Sequence, residues 1–573
     1  MIDSSPRTRG GVLALAAIPL ALHALMAWRL RAAAISTGQD DAVYLLLGRG
    51  LRDLAYSNYW LIGNPPHGTY PPLYPLILGG TDALFGSTLA PAVVLNVLFS
   101  TGALAILFAV ACRWSVPAAF LALSVSAVNP WLVRLAGQLF SEPVYMFFAA
   151  ATLWCVAVPN APARSRLGAG AMAMIAFLGR IIGLAMILGV LLQWIVERRF
   201  RAAAILAAVS LVCVGGWFVH ARSVTRSVSS GQSYLRDVLS THAASPPARD
   251  TLRVVTPDPP DSPAAATPAP VAAAPNADTL RPSSRWTMVN GIPALAVVMV
   301  KRVLSNVPAY LTRRIPSVLA FPTLPGTTLD NWLWLGVLVV LGGLGLVELY
   351  RRLPAAAFYL GCYAGILLVW PFSLQRYLVP VIPLLLLTLF LGMSRLVGRR
   401  GLAAWVLPTV IALALVISGL GQQRGELSAA ARCDRSAPYT SEGCFNPVER
   451  AFFEAVRYSD SLVPRDSTIL SPKMATVYYL TGRRSIDELS VTSLESDALR
   501  AYLREREINY VLLSRIHLDQ KWISERMQYL CGDWELEKDF GGLALLLRRG
   551  TERAPDPSLP ACDAISRFAK GPW

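Results

Sequence analysis

The strongest constraint on this chain is a series of long apolar runs separated by short clusters of arginine. The runs lie at about Gly11–Trp28, Thr88–Cys112, Val116–Arg134, Phe140–Val158, Leu167–Val196, Ala202–Val219, Trp332–Leu349, Ala355–Phe372, Tyr377–Met393 and Ala403–Leu420. Most come close to the roughly 20 residues that a helix needs to cross a hydrocarbon core. Backbone in lipid must satisfy its own hydrogen bonds, so such runs fold as helices. Composition agrees: 15% of residues are charged and 54% are hydrophobic, whereas a soluble domain is nearer about a quarter charged. This argues against a soluble enzyme and a disordered scaffold. The net charge of +16 would suggest nucleic acid in a soluble protein. Here the excess sits in short arginine clusters between apolar runs, the pattern of cytoplasmic loops, so no nucleic-acid partner is expected.

The N-terminal run follows Arg7 and Arg9 and is followed by Arg29 and Arg31 rather than by a small-residue cleavage site. It reads as a first membrane helix with its N-terminus inside. Leu167–Val196 is interrupted by Arg180, and parity decides its meaning. Two short helices meeting at Arg180 put the basic stretch Glu197-Arg198-Arg199-Phe200-Arg201 inside, where the positive-inside rule wants it. The count is then about eleven membrane helices in residues 1–420, with the C-terminus outside. A polar, aromatic first outer loop covers residues 36–86, and a long outer loop covers 220–329. Residues 243–284 of that long loop are rich in Pro and Ala and are expected to be disordered, because they bury too little apolar surface to offset chain entropy. Trp286–Phe321 is apolar but broken by Lys301, Arg302, Arg313 and Arg314, and reads as interfacial helices.

The tail, residues 421–573, reads as a small soluble α/β domain facing the periplasm. Pro447–Tyr458 and Ser496–Glu507 have helical periodicity; Ser467–Ser471, Tyr510–Ser514 and Leu543–Leu547 read as buried strands. Cys112, Cys155, Cys213 and Cys362 lie in apolar runs and read as small buried hydrophobes. Cys433, Cys444, Cys531 and Cys562 all lie in the tail. An even number in an oxidising compartment implies disulfides, though spacing does not set their pairing.

On this topology the unusual charges fall on one face. Asp40 and Asp41 follow the first helix. Glu142, in Gln138-Leu-Phe-Ser-Glu-Pro143, lies between the third and fourth helices. Arg180 lies between the fifth and sixth, and Gln375-Arg376-Tyr377 between the ninth and tenth. Charges beside apolar runs are costly unless paired or functional. The chemistry that suits them is glycosyl transfer from a lipid-linked phosphosugar. A lipid phosphate is already a good leaving group and needs its charge stabilised by arginine or a divalent metal. The acceptor hydroxyl needs one carboxylate base.

These pieces together resemble the C-type (GT-C) glycosyltransferases, the superfamily of the protein O-mannosyltransferases and the lipid A aminoarabinose transferase. The resemblance is carried by Asp40-Asp41-Ala-Val-Tyr44, Tyr70-Pro-Pro-Leu-Tyr-Pro75, Ser141-Glu142-Pro143, Gly179-Arg180-Ile-Ile-Gly183 and Gln375-Arg376-Tyr377-Leu-Val-Pro380, in family order over roughly residues 11 to 400. It implies a mainly α, polytopic fold and a polyprenyl-phosphate-linked sugar as donor. The acceptor would be a lipid, glycan or protein at the outer face of a bacterial inner membrane. Asp40 or Asp41 would be the catalytic base, assisted by Glu142. Arg376 and Arg180 would bind the donor phosphate, and Tyr70, Tyr44 and Tyr377 would line the cavity. Asp41, Glu142 and His67 are the candidate ligands for a divalent metal. One departure is Thr69-Tyr70, where several relatives carry a charge before the Pro-Pro pair.

Plainer roles stand beside these. Asp40 or Asp41 could cap a helix, Glu142 could answer a helix dipole, and the two arginines could be snorkelling anchors. The tyrosines could form an interfacial belt. Other functional classes are a lipid-carrier transporter or flippase, which predicts ionisable residues at the bilayer midplane and often internal repeats, and a non-catalytic subunit of envelope-glycan assembly.

Overall fold

The computed structural model describes residues 6–158, 162–227, 288–289, 292–321, 328–397, 403–486, 491–492 and 494–573. The Pro/Ala-rich segment 243–284 lies outside them. Among the described residues, six helices are long and apolar enough to cross a membrane: Ala90–Ala111, Phe200–Val224, Leu295–Val318, Trp332–Arg352, Gln375–Leu396 and Trp405–Arg432. The pair Val116–Ala127 and Pro130–Gly137, bent by 59°, makes a seventh if taken as one span. Shorter apolar helices lie at Ala14–Arg29, Leu73–Phe85, Glu142–Val156, Ile181–Val196 and Pro354–Val369.

Contacts between loops sort the helix ends into two groups. At one end, the Arg113 guanidinium lies 4.4 Å from the centre of the Trp154 ring and donates to the Ala157 carbonyl at 3.0 Å. Arg352 donates to the Trp114 carbonyl at 3.0 Å and pairs with Glu348 at 2.6 Å. Arg395 approaches that same carboxylate at 3.6 Å. Arg113, Arg352 and Arg395 therefore share one end. Asp40, Glu142, Arg180 and Arg376 meet at the other.

The run 167–196 is two helices, Ala163–Gly179 and Leu184–Val196, with Arg180 extended between them (φ −154°, ψ 136°) and a 3-10 turn at Ile181–Gly183. The chain doubles back so tightly that a Cβ on Gly183 would lie 2.5 Å from the Phe177 backbone. Only glycine fits there. The first outer loop carries two helices, Asp40–Arg52 and Leu73–Phe85. They cross backbone to backbone at Gly48 and Gly79, where a Cβ on either would overlap the other strand of chain.

Within the stretch expected to form interfacial helices, around 286–321, residues 294–318 are one continuous helical run. Ala294–Ala309 passes through a π-turn at Tyr310–Arg314 into Ile315–Val318. Two polar side chains of this run reach a neighbouring helix end. Asn306 donates to the carbonyls of Leu368 and Trp370 at 3.0 and 2.9 Å, and buried Arg302 reaches the Val369 carbonyl at 3.5 Å. Cys213 also departs from expectation: it is exposed on the outer surface of its helix, while Cys112, Cys155 and Cys362 are half-buried.

The last apolar helix does not stop at residue 420 but runs on to Arg432. Beyond it lies a four-stranded sheet in which Ile469–Leu470 pairs parallel with Tyr510–Ser514, followed by Ala544–Arg549 and edge strand Trp534–Asp539, both antiparallel. The edge strand is absent from the sequence reading because its charged residues, Glu535, Glu537, Lys538 and Asp539, mask the alternation. Helix Pro447–Leu462 starts on a capping box between Asn446 and Glu449. Its apolar face, with Phe452, Phe453 and Val456, packs on one side of the sheet; Pro560–Lys570 packs Ile565 and Phe568 on the other.

The four tail cysteines form the disulfides Cys433–Cys444 and Cys531–Cys562. The second closes a sequence separation of 31 residues, for which chain-entropy arguments give about 3–4 kcal/mol. Replacing Cys531 and Cys562 together by alanine is expected to lower the stability of the tail by that order, read by pulse proteolysis of the full chain. The Cys433–Cys444 pair, with 11 intervening steps, should contribute less.

Candidate active site

Each element delivers one charged side chain to a common point. Asp40 opens helix Asp40–Arg52, and the preceding Gln39 is left-handed (φ 72°). Glu142 opens Glu142–Val156, with Pro143 in the first turn, where its missing N–H costs nothing. Arg180 projects from the extended break described above. Arg376 lies in the 3-10 segment Gln375–Val381, which leads into Ile382–Leu396.

Arg376 is the hub. Its Nε donates to Glu142 Oε1 and its Nη1 to Asp40 Oδ2, both at 2.5 Å. Arg180 Nη1 lies 2.8 Å from the same Glu142 oxygen and donates to Ser141 Oγ at 2.9 Å. The Tyr70 hydroxyl donates to the other Asp40 oxygen, Oδ1, at 2.7 Å. The Arg376 guanidinium is 4.2 Å from the centre of the Phe140 ring. Two carboxylates and two guanidiniums balance, which is what allows four charges to sit in so little water. Access is unequal. The Glu142 side chain is 0% exposed, whereas Asp40 keeps 20% and Arg376 19%. Glu142 is therefore sealed behind the arginines, and Asp40 faces outward. Glu142 Oε2 is buried with no hydrogen-bond partner, a group whose desolvation costs about 1–3 kcal/mol.

Burial alone would raise the Asp40 pKa. The charge and hydrogen bond of Arg376, with the Tyr70 hydroxyl, outweigh it and hold the carboxyl below the ordinary aspartate value. Asp40 is thus an ionised acceptor at neutral pH.

Asp41 is not in the cluster. Its Oδ2 accepts from Ser36 N at 2.6 Å and its Oδ1 from Ala42 N at 2.8 Å. It pins the turn that enters the helix. Burial pushes its pKa up to about 6 against these backbone hydrogen bonds. A folded-state pKa above the unfolded value adds stability at low pH that is lost as pH rises. The window runs from about 4 to about 6. The stability advantage of the wild type over Asp41→Asn is expected to be larger at pH 4 than at pH 7, measured by thermal unfolding in detergent.

The proposed metal set of Asp41, Glu142 and His67 does not converge, and no group of three or more potential ligands occurs among the described residues. His67 shows why. Its Nδ1 is 2.6 Å from Asn58 Oδ1 and its Nε2 accepts from Tyr70 N at 2.9 Å. The donating nitrogen carries the proton and the lone pair of the other is engaged by Tyr70 N–H, so none is left for a cation. Burial, with a smaller effect of His220, lowers its pKa to about 3, so the ring stays neutral. It serves to hold the Tyr70 loop.

Of the three tyrosines expected to line a cavity, Tyr70 touches Asp40 directly. Tyr44 lies behind it, with its ring 4.8 Å from that of Tyr70 and its hydroxyl 3.2 Å from Ser141 Oγ. Tyr377 is held through its backbone carbonyl, which accepts from the Tyr363 hydroxyl at 2.5 Å. Sequence reasoning gave no role to Phe140, Ser141 or Tyr74. Tyr74 is fully buried against Tyr44, ring centres 4.9 Å apart, and accepts from Asn96 at 2.9 Å. All three lie inside the motifs that supplied Glu142 and Tyr70, and that adjacency was the available signal.

No protein-family model matches the chain, and no curated protein sequence does. Solved structures do. ArnT from Cupriavidus metallidurans bound to undecaprenyl phosphate is 14% identical, with 94% of this chain and 98% of that one covered at a TM-score of 0.50. The same protein in the apo state is 13% identical over the same shares, again at 0.50. The oligosaccharyltransferase AglB from Archaeoglobus fulgidus, in complex with an inhibitory peptide and a dolichol-phosphate, is 12% identical. There 99% of this chain and 78% of that one are covered, at 0.51. Both proteins are members of the GT-C superfamily. The chain shares the fold of these two proteins.

Proposed function

We propose that the chain is an inverting glycosyltransferase that moves a sugar from a polyprenyl-phosphate donor to a lipid, glycan or protein acceptor. The observation that carries this reading is the Asp40–Arg376–Glu142–Arg180 cluster, drawn from four loops at one end of the helices. In the reaction the acceptor oxygen attacks the anomeric carbon as the bond from that carbon to the phosphate oxygen breaks. The bonding electrons leave with the phosphate, whose growing charge Arg376 and Arg180 stabilise. The acceptor proton passes to Asp40. Glu142 holds both guanidiniums in place. The fold's known examples support the donor class, since one of them is bound to undecaprenyl phosphate and another to a dolichol-phosphate.

The reading includes eleven spans with the cluster and the tail at the periplasmic face of a bacterial inner membrane. Support comes from the arginines gathered at the opposite helix ends, as the positive-inside rule requires, and from the two disulfides of the tail. Two measurements test it. Purified protein should retain undecaprenyl phosphate in native mass spectrometry, and failure to bind would sink the donor assignment. Alkaline phosphatase fused after Trp573 should be active; an inactive fusion at normal expression would reverse the topology.

A further inference from the structure

The turn that presents Asp40 is gripped by the C-terminal region. Residues 35–39 form a short strap between helix Pro6–Arg29 and helix Asp40–Arg52. The strap is closed on itself by the Ser36 N–H to Asp41 bond and ends in left-handed Gln39. A non-glycine residue in that conformation is held at a cost and persists only where its surroundings over-determine it. Here those surroundings come from more than 400 residues away in sequence. The Thr37 hydroxyl donates to Glu449 Oε1 at 2.8 Å, and the Thr476 hydroxyl donates to the Ser36 carbonyl at 3.3 Å.

Each grip is itself well anchored. The other Glu449 oxygen accepts from Asn446 N at 3.0 Å within the capping box, so one carboxylate joins the strap to the start of helix Pro447–Leu462. Thr476 is fully buried in the first turn of Met474–Thr481. Met474 and Ala475 of that helix share one apolar core with Ala42, Val43 and Tyr44, and Arg49 stacks on Tyr479 at 4.9 Å. The C-terminal region is therefore built into the support of the first outer helix.

We infer that the C-terminal region sets the position of Asp40, with Thr37, Glu449 and Thr476 as positioning residues that fix the strap and so aim the Asp40 carboxylate at Arg376 and Tyr70. The function this serves rests on the glycosyltransferase reading, but the positioning itself is tested without any lipid. Thr37→Val with Thr476→Val removes both hydroxyls, is nearly isosteric and leaves Glu449 and its capping box alone.

The test uses the full chain in detergent. Amide hydrogen exchange over residues 36–44 should quicken at least tenfold in the double variant, with no change in helix Glu142–Val156. Carbodiimide labelling of Asp40, followed by mass spectrometry, should quicken about fivefold or more, while sealed Glu142 stays unlabelled. Thr37→Ser with Thr476→Ser restores the hydroxyls and should return both readouts to wild type. The single Thr37→Val variant, which leaves the packed Thr476 untouched, gives a smaller effect in the same direction if the double variant does not fold. Wild-type exchange and labelling in a folded Val variant would overturn the inference, as would a Ser variant that behaves like the Val one. Neither readout depends on donor binding, so failure here and failure of the proposed reaction are separate results.

Discussion

Arg376→Ala is expected to abolish most of the affinity for undecaprenyl phosphate. Arg376 touches both carboxylates of the site. Its guanidinium makes directed hydrogen bonds that a carboxylate and a phosphate can each accept. Truncating one partner of a desolvated, hydrogen-bonded charge pair costs about 2–5 kcal/mol, which corresponds to roughly 30-fold to several thousand-fold in affinity. The variant should also unfold more easily, because Asp40 loses its cation, while Glu142 keeps Arg180. Arg376→Lys separates charge from geometry. It restores the positive charge but cannot reach Asp40 and Glu142 with two distinct N–H groups, so a partial recovery of binding is expected. Affinity would be measured on folded, monodisperse protein. Wild-type binding by Arg376→Ala would remove this residue from the phosphate site.

The legibility of the site in the sequence was uneven, for physical reasons. A charge beside an apolar run is expensive, so Asp40, Glu142, Arg180 and Arg376 stood out before any contact was known. The break at Arg180 was also readable, because parity and the Arg198–Arg199 cluster required a reversal there. What sequence could not separate was Asp40 from Asp41. Adjacent residues at a helix start point about 100° apart, and which of them faces the site depends on a turn closed by Ser36 and on a left-handed Gln39. Nothing in one chain announces such a turn. His67 misled for a related reason: an imidazole in an outer loop looks like a ligand until both nitrogens are seen to be bonded. The grip of Glu449 on Thr37 spans a sequence separation of 412 residues and leaves no local pattern to read.

Asp40→Asn should separate binding from chemistry. Asparagine keeps an oxygen for Arg376 or Tyr70 and nearly the same shape, so undecaprenyl phosphate should bind within a few-fold of wild type. It cannot take a proton, however, and loss of a general base costs about 10²–10⁴ in rate. Transfer would be followed as incorporation of radiolabelled sugar from the polyprenyl-phosphate fraction of the producing cells. Asp41→Asn is the control, because its carboxylate faces Ser36 and Ala42 instead of Arg376; it should keep most of the rate. A second signature follows from electrostatics. The wild-type base is held below the ordinary aspartate pKa by Arg376 and Tyr70 against the effect of burial. Its acid limb should therefore lie below about pH 4, and Tyr70→Phe, which removes one stabilising hydrogen bond, should move that limb upward. A low-pKa carboxylate is a weak base, which suits a reaction in which the bond to phosphate is largely broken before the acceptor gives up its proton. Full transfer by Asp40→Asn together with loss in Asp41→Asn would reverse the assignment of the base.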